Sequence, residues 1–332
     1  MSSAFSHIAV LGAGAWGTAL ALAALAAGRH TTLWVREPDI LATMKDGGHN
    51  PFLPGIALPG ALQVTGDLAQ AARADALLLA VPAQHLRGFA AGLKTSLRAG
   101  VPLVICAKGI EKDTGRLVTE VIAETLPGFA VALLSGPSFA RDVARGLPTA
   151  VTIAAAPEWQ DLAARLQSAL GSAAFRPYAS DDPTGVALGG AAKNVYAIAC
   201  GVVEGMGLGE NARAALLARS FAELARLGEA LGARRETLMG LSGLGDLVLT
   251  ATSPSSRNFS FGMALGRGET MAALTAPGRP LAEGVPTAPA LMKRAANAGV
   301  EMPIAEAVAA LLDGVAADKV LQRLMGRPLT NE

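Results

Sequence analysis

A chain of 332 residues is long enough to fold as two domains, each with its own hydrophobic core. Hydrophobic residues make up 51% and charged residues 17%, and 28 basic against 27 acidic side chains leave a net charge of +1. That balance excludes an electrostatic case for nucleic acid and favours a small-molecule ligand. Mean hydropathy is +0.38, yet the apolar excess is largely alanine. The best candidate membrane stretch, Leu11 to Ala27, is broken by Gly12, Gly14 and Gly17, so no membrane insertion is expected. Met1 to His7 carries no cationic leader region and runs straight into a strand pattern, which points to a cytoplasmic location. Cys106 and Cys200 are too few for a disulfide framework or a zinc site and read as reduced thiols packed as small apolar residues.

Along the first half, short aliphatic or β-branched runs alternate with longer alanine-rich runs, the pattern of a parallel sheet covered by helices. Strands are predicted at His7 to Leu11, Thr31 to Val35, Ala76 to Val81, Leu103 to Ala107, Ala130 to Leu134 and Thr149 to Ala154. Helices are predicted at Ala15 to Ala27, Pro38 to Lys45, Gln84 to Leu97, Arg116 to Thr125 and Pro157 to Leu170. After about Asp181 the alternation stops. Long helical runs follow at Pro183 to Gly205 and Ala212 to Leu231, then a loop-rich stretch to Pro254, then helices at Pro286 to Ala298 and Ile304 to Leu312. The expected fold is therefore an α/β Rossmann-like domain with a doubly wound, mostly parallel sheet over residues 1–182, followed by an all-α domain over residues 183–332.

The sequence Gly12-Ala13-Gly14-Ala15-Trp16-Gly17 follows the first strand and opens a helix. A Gly-x-Gly-x-x-Gly turn in that context permits close backbone approach to a pyrophosphate, and the helix N-terminus supplies amide donors and a favourable dipole. Trp16 has two readings, a cover over the dinucleotide or a core aromatic. At the end of the second strand, where NAD-selective domains place an acidic residue on the ribose, stands Arg36, followed by Glu37. The Arg36 guanidinium suits a 2′-phosphate, so NADP is expected as a cofactor at least as well as NAD, which Glu37 keeps open.

Dinucleotide-dependent reduction of a ketone needs a proton donor for the emerging alkoxide and fixed positive charge near the carbonyl. His7, His30, His49 and His85 show no metal-ligand or catalytic spacing, and no metal site is expected. Lysines are few, so their positions carry information. Lys108 follows the Leu103 to Ala107 strand, at the carboxyl edge where the nicotinamide half of a cofactor belongs. Lys193 lies in Gly189-Gly190-Ala191-Ala192-Lys193-Asn194-Val195, an otherwise apolar helix. Desolvation there disfavours the charged form and suits a general acid, whereas a lysine reaching out from the helix surface is the plainer alternative.

Ser135-Gly136-Pro137-Ser138-Phe139-Ala140, Lys193-Asn194-Val195, Gly243-Leu244-Gly245-Asp246-Leu247 and Ser255-Ser256-Arg257-Asn258 occur in that order. With Leu53-Pro54-Gly55, Asn211-Ala212-Arg213-Ala214-Ala215-Leu216 and Ala282-Glu283-Gly284 they resemble the successive signature segments of NAD(P)-dependent glycerol-3-phosphate dehydrogenases of the bacterial type, from about residue 7 to residue 305. Phe52 stands where that family commonly has tyrosine, and Ser138 where threonine is more usual. Related two-domain dehydrogenases of β-hydroxy acids, 6-phosphogluconate or ketopantoate share the Lys-Asn pair but not the whole set, and a non-catalytic NAD(P)-binding sensor needs no ordered lysines.

The resemblance implies reversible hydride transfer between NAD(P)H and dihydroxyacetone phosphate, giving sn-glycerol 3-phosphate for phospholipid synthesis, by a homodimer. It implies that Lys193 is the proton donor and acceptor, that Lys108 reaches both substrate and nicotinamide, and that Asn194 helps to hold the oxygen. Asp246 matches the carboxylate that binds a substrate hydroxyl and orients the lysine; by itself it reads as an Asx-turn residue. Ser256, Arg257 and Asn258 match the phosphate-binding group, in what otherwise reads as a polar loop. Gly136 and Ser138 match substrate contacts, while Ala140, Leu281 and Glu283, with Lys108 and Arg257, match cofactor contacts. The implied substrate position is a cleft between the carboxyl edge of the sheet and the helical domain.

Overall fold

The computed structural model describes residues 5–159 and 161–328. The first four residues of the Met1 to His7 segment, residue 160 within the helix predicted at Pro157 to Leu170, and the last four residues of the helical domain lie outside the described residues. The chain divides into two compact units, one reaching to Lys108 and resuming over Leu117–Ala187, the other formed by Gly109–Arg116 and the chain from Leu188 onward.

The first unit is built on one sheet of eight strands: β1 (His7–Leu11), β2 (His30–Trp34), β3 (Gln63–Thr65), β4 (Ala76–Leu79), β5 (Leu103–Ile105), β6 (Val131–Ser135), β7 (Thr149–Ala155) and β8 (Phe175–Ser180). Their order is β3-β2-β1-β4-β5-β6-β7-β8, and the chain reverses its direction of travel across the sheet between β3 and β4. All neighbouring pairs are parallel except β6 and β7, where Leu133 faces Ala154 in an antiparallel ladder. The helices are α1 (Ala15–Ala26), α2 (Pro38–Gly47), α3 (Leu68–Ala71), α4 (Leu86–Leu93), α5 (Val118–Thr125), α6 (Ala140–Ala144) and α7 (Leu162–Leu170). Inner strands covered on both faces need continuous apolar runs, and Ala76-Leu77-Leu78-Leu79 of β4 is buried throughout. Ile8, Val10, Leu33, Leu78, Val104 and Leu134 join α1 and α7 in a single core.

Two strands escape the sequence pattern. β3 has three residues and no fully buried side chain, too short for alternation to register. β8 carries Pro177, which argues against a strand in sequence, yet β8 pairs only with β7 at the sheet edge, where a missing amide is tolerated.

The second unit is helical, as expected: α8 (Pro183–Gly205, which begins in the first unit), α9 (Gly209–Ala230), α10 (Arg235–Met239), α11 (Asp246–Ala251), α12 (Arg257–Gly266), α13 (Met271–Leu274), α14 (Gly284–Asn297), α15 (Pro303–Leu312) and α16 (Ala317–Met325). The stretch read as loop-rich before Pro254 is instead α10, a π-helical turn over Leu241–Gly245, and α11. Its glycines read as loop punctuation, but they mark close packing: a Cβ on Gly243 would lie 1.9 Å from the Leu238 carbonyl oxygen, and one on Gly189 would lie 2.7 Å from that of Ser242.

Among the described residues α8, and not Leu11 to Ala27, is the helix long and apolar enough to cross a membrane; its apolar stretch is 94% buried by the fold itself, as in a core helix. It crosses α12 at backbone contact. Gly201 and Gly205 face the Phe259 and Met263 carbonyls, where a Cβ would approach within 2.1 and 2.2 Å, and Gly262 and Gly266 face those of Ile198 and Val202 at 2.1 and 2.4 Å. Two Gly-x-x-x-Gly ridges thus interlock, fixing the start of α12 relative to the middle of α8.

Glu223 of α9 is buried. It accepts hydrogen bonds from the Ile304 and Ala305 amides at the start of α15, at 2.7 and 3.3 Å, and from the Tyr196 hydroxyl of α8 at 3.4 Å. Burial pushes its carboxyl up to about 7, against the pull of those amides and of Arg226.

Candidate active site

In the first unit, parallel strands deliver their carboxyl ends to one edge, and Gly12, Arg36 and Lys108 follow β1, β2 and β5 there. Gly12 follows β1 with φ at +117°, and a Cβ would lie 2.7 Å from the Ala80 oxygen just past β4. Gly17 packs its Cα onto the Gly12 carbonyl, where a Cβ would come within 1.9 Å. Gly14 is the N-cap of α1 with nothing within 4 Å of the position its Cβ would take, so the side of the turn a ligand backbone would approach is open. Asn50, which sequence reasoning did not single out, is fully buried beneath this turn; its Nδ2 donates to the Ala13 carbonyl at 2.8 Å and to Thr18 Oγ1 at 2.7 Å. Only its neighbourhood to Leu53-Pro54-Gly55 could have flagged it.

Lys108 lies three residues past β5. Its Nζ donates to the Gly136 carbonyl at 2.8 Å and stands 5.9 Å from the Trp16 ring centroid, a cation–π distance. Ser138 Oγ donates to the same carbonyl at 2.8 Å. Gly136 holds φ at +147° with room for no side chain, since a Cβ would meet the Val151 Cα at 2.9 Å. Trp16, Lys108, Gly136 and Ser138 therefore form one cluster, and Trp16 Nε1 is buried with no hydrogen-bond partner among the described residues. Ala140 opens α6 and packs against the core beside α1. Arg36 sits past β2 with its side chain 73% exposed, its Nε donating to Glu37 Oε1 at 2.8 Å. The open glycine turn, the helix N-terminus and the unpaired indole N–H fit a dinucleotide.

The second unit gathers the rest. Lys193 Nζ donates to Asp246 Oδ1 at 2.6 Å and to Thr250 Oγ1 at 3.0 Å, and Thr250 Oγ1 donates to Asp246 Oδ1 at 3.2 Å. The two charged side chains are only 9% and 2% exposed. Desolvation at Lys193 is opposed by a carboxylate in contact, which favours the ammonium and which the apolar sequence of α8 did not reveal. Nor is Asp246 a turn residue; it is the first residue of α11, placed by the π-helical turn whose Gly245 amide donates to the Gly240 carbonyl. Thr250, missed in the sequence, lies one helical turn beyond Asp246, an i to i+4 spacing that is legible once the helix is known.

The polar loop expected at Ser255 to Asn258 is the start of α12. Ser256 is its N-cap, accepting from the Phe259 amide at 3.3 Å, and Arg257 and Asn258 are its first two residues, the guanidinium exposed and the amide buried. Asn258 Nδ2 donates to Asn194 Oδ1 at 2.9 Å. Glu283, the N-cap residue of α14, has a buried Oε2 without a hydrogen-bond partner among the described residues. Burial raises the Glu283 carboxyl, and Arg257 opposes that shift. Leu281 is exposed ahead of α14. Cys106 and Cys200 are buried free thiols, both pushed up by burial, and they pack as apolar residues.

Neither unit names a chemistry by itself. A nucleotide-ready glycine turn and a buried lysine–carboxylate pair, carried on one chain of this α/β plus helical build, define a nicotinamide-dependent dehydrogenase. The comparisons narrow the class. Residues 7–160 match the family model for the NAD-dependent glycerol-3-phosphate dehydrogenase N-terminus, and residues 182–322 match that for its C-terminus. The chain belongs to the NAD-dependent glycerol-3-phosphate dehydrogenase family. It is 58% identical over 333 residues to a glycerol-3-phosphate dehydrogenase [NAD(P)+] of Bradyrhizobium sp. strain ORS 278, covering 100% of both chains. It is 54% identical over 334 residues to the corresponding protein of Parvibaculum lavamentivorans, again with 100% of both covered. Among solved structures, a crystal structure of glycerol-3-phosphate dehydrogenase from Coxiella burnetii superposes with a TM-score of 0.91 at 36% identity, over 97% of this chain and 99% of that one.

Proposed function

We propose that this chain catalyses the reversible, NAD(P)-dependent reduction of dihydroxyacetone phosphate to sn-glycerol 3-phosphate. The observation that carries the reading is the buried Lys193–Asp246 pair at 2.6 Å, in a chain whose whole length aligns with named dehydrogenases of this substrate. Residues 1–182 are the nucleotide-binding domain and residues 183–332 the substrate-binding domain. Gly12, Gly14, Ala15, Trp16 and Gly17 hold the dinucleotide, with Arg36, Lys108, Ala140, Arg257, Leu281 and Glu283 as further contacts. The bound cofactor supplies the hydride that the carbonyl carbon receives.

What the chain's own side chains do follows from their chemistry. Lys193 delivers a proton from Nζ to the developing alkoxide and recovers it in the reverse direction. Asp246 and Thr250 fix the direction of Nζ, so the proton is presented from one point and not from a swinging chain. Lys108 and Asn194 polarise the carbonyl oxygen, an electrostatic contribution that grows as negative charge develops there. Arg257 offers a planar fork to the phosphate dianion at the N-terminus of α12, with Ser256 and Asn258 beside it, and Gly136 and Ser138 complete the substrate contacts. Because the phosphate is remote from the reacting carbon, its binding energy serves orientation. The resemblance to the bacterial enzymes also supports a cytoplasmic homodimer that feeds phospholipid synthesis.

A substrate panel tests the reading. Purified protein with NADPH or NADH is expected to consume the reduced nucleotide with dihydroxyacetone phosphate and to form glycerol 3-phosphate. Turnover of ketopantoate or a β-keto acid in its place would reassign the chain to another dehydrogenase, and nucleotide binding without turnover of any ketone would leave a sensor.

A further inference from the structure

Three groups of the second unit form a chain whose polarity is fixed from one end. The Gly284 amide can only donate, so the Asn258 atom 2.9 Å from it is the carbonyl Oδ1. The other end of that side chain is then the amino group, which donates to the atom of Asn194 2.9 Å away; that atom is Oδ1, and the Asn194 amino end is turned away from Asn258. Asn194 and Asn258 are both buried, and the backbone around them leaves little freedom. A Cβ on Gly284 would lie 2.5 Å from the Asn194 carbonyl oxygen, so the start of α14 rests directly on α8. Asn258 is held at the start of α12 by the Ser256 cap and by the interlocked glycine ridges of α8 and α12.

We infer that Asn258 is a positioning residue for Asn194: it reads the Gly284 amide and thereby sets which end of the Asn194 side chain, donor or acceptor, faces the substrate oxygen. Reduction of a ketone needs a donor there, because charge develops on oxygen as the hydride arrives, and an Asn194 turned over would present a carbonyl lone pair to an alkoxide. The inference rests on the dehydrogenase reading given above and adds to whatever Asn258 gives the phosphate.

A double-mutant cycle on the intact enzyme with dihydroxyacetone phosphate tests it, with wild-type turnover as the separate check on the dehydrogenase reading. Asn258→Ala is expected to lower kcat about tenfold or more. In an Asn194→Ala background the same change is expected to cost less than about threefold, because the residue it positions is gone. Asn258→Asp keeps the acceptor for the Gly284 amide but has no proton to give, so Asn194 must offer its amino end to the carboxylate. This variant is expected to melt near the wild-type temperature and still lose kcat. Losses that multiply in the cycle, or an Asn258→Asp enzyme that keeps its kcat while only KM rises, would overturn the inference and leave Asn258 a phosphate ligand alone.

Discussion

At the residue scale, the way Lys193 is buried decides what it can do. An ammonium taken out of water with no partner is strongly disfavoured, and at Lys193 the deficit is met by Asp246 and Thr250. Removing one member of such a pair leaves the other charge uncompensated. Asp246→Ala is therefore expected to destabilise the protein by about 3–5 kcal/mol in denaturant melts, whereas Lys193→Met, which removes the cation, costs less only if Asp246 takes up a proton. Equal stability of Asp246→Ala and wild type would mean that the pair contributes nothing. Arg257 makes a different prediction. Its guanidinium is exposed, so Arg257→Ala is expected to fold normally and to raise KM for dihydroxyacetone phosphate by at least about tenfold, with kcat less affected. Arg36 is already paired with Glu37, and that exposed contact is weak enough to open for a 2′-phosphate. Arg36→Ala is accordingly expected to raise KM for NADPH and leave KM for NADH nearly unchanged.

The candidate site residues are legible where a charge stands out from its surroundings, as Lys193 does in an apolar helix, or where a motif has a fixed order. Their partners are not. Thr250 and Asn50 look like ordinary polar residues in sequence, and only the fold brings Thr250 one turn from Asp246 or sets Asn50 under the glycine turn.

At the scale of elements, long apolar runs place the six strands predicted from sequence close to where they lie, because strands buried on both faces announce themselves as unbroken hydrophobic stretches. The shortest elements between them escape, and so do two longer helices, α12 and α16. Around α10 to α12 the reason is glycine, which reads as loop punctuation where it in fact permits backbone contact. The α8–α12 crossing is the strongest case, with four glycines each leaving less than the space of a methyl group. Gly262→Ala is expected to force the helices apart. The predicted result is a loss of several °C in melting temperature and a drop in kcat, because α12 carries Asn258 and α8 carries Lys193 and Asn194. A variant with wild-type melting and turnover would show that the crossing does not set the site.

At the scale of the whole molecule, Glu223 ties stability to pH. The unfolded chain gives up this proton near 4.5, whereas the folded chain keeps it to about 7. Between those values the folded state binds more protons, so its stability falls as pH rises through that window and levels off above it. The contribution is on the order of 3 kcal/mol. Glu223→Gln, which cannot ionise, is expected to flatten this part of the melting profile between about pH 5 and about pH 8 relative to wild type. Parallel profiles would mean that the carboxyl ionises in the fold as it does in water.

The change of texture near Asp181 marks the end of the sheet: among the described residues no strand follows β8. The activity was readable only through the family resemblance of segments far apart in the chain, from Ser135–Ala140 to Ser255–Asn258.

Single-turnover oxidation of bound NADPH by dihydroxyacetone phosphate, compared between wild type and Lys193→Ala, asks whether Nζ is the proton donor. The expected hydride-transfer rate is lower by about a hundredfold or more in the variant, with NADPH affinity unchanged. A near-normal rate would contradict that role, for the alkoxide would then be taking its proton from elsewhere.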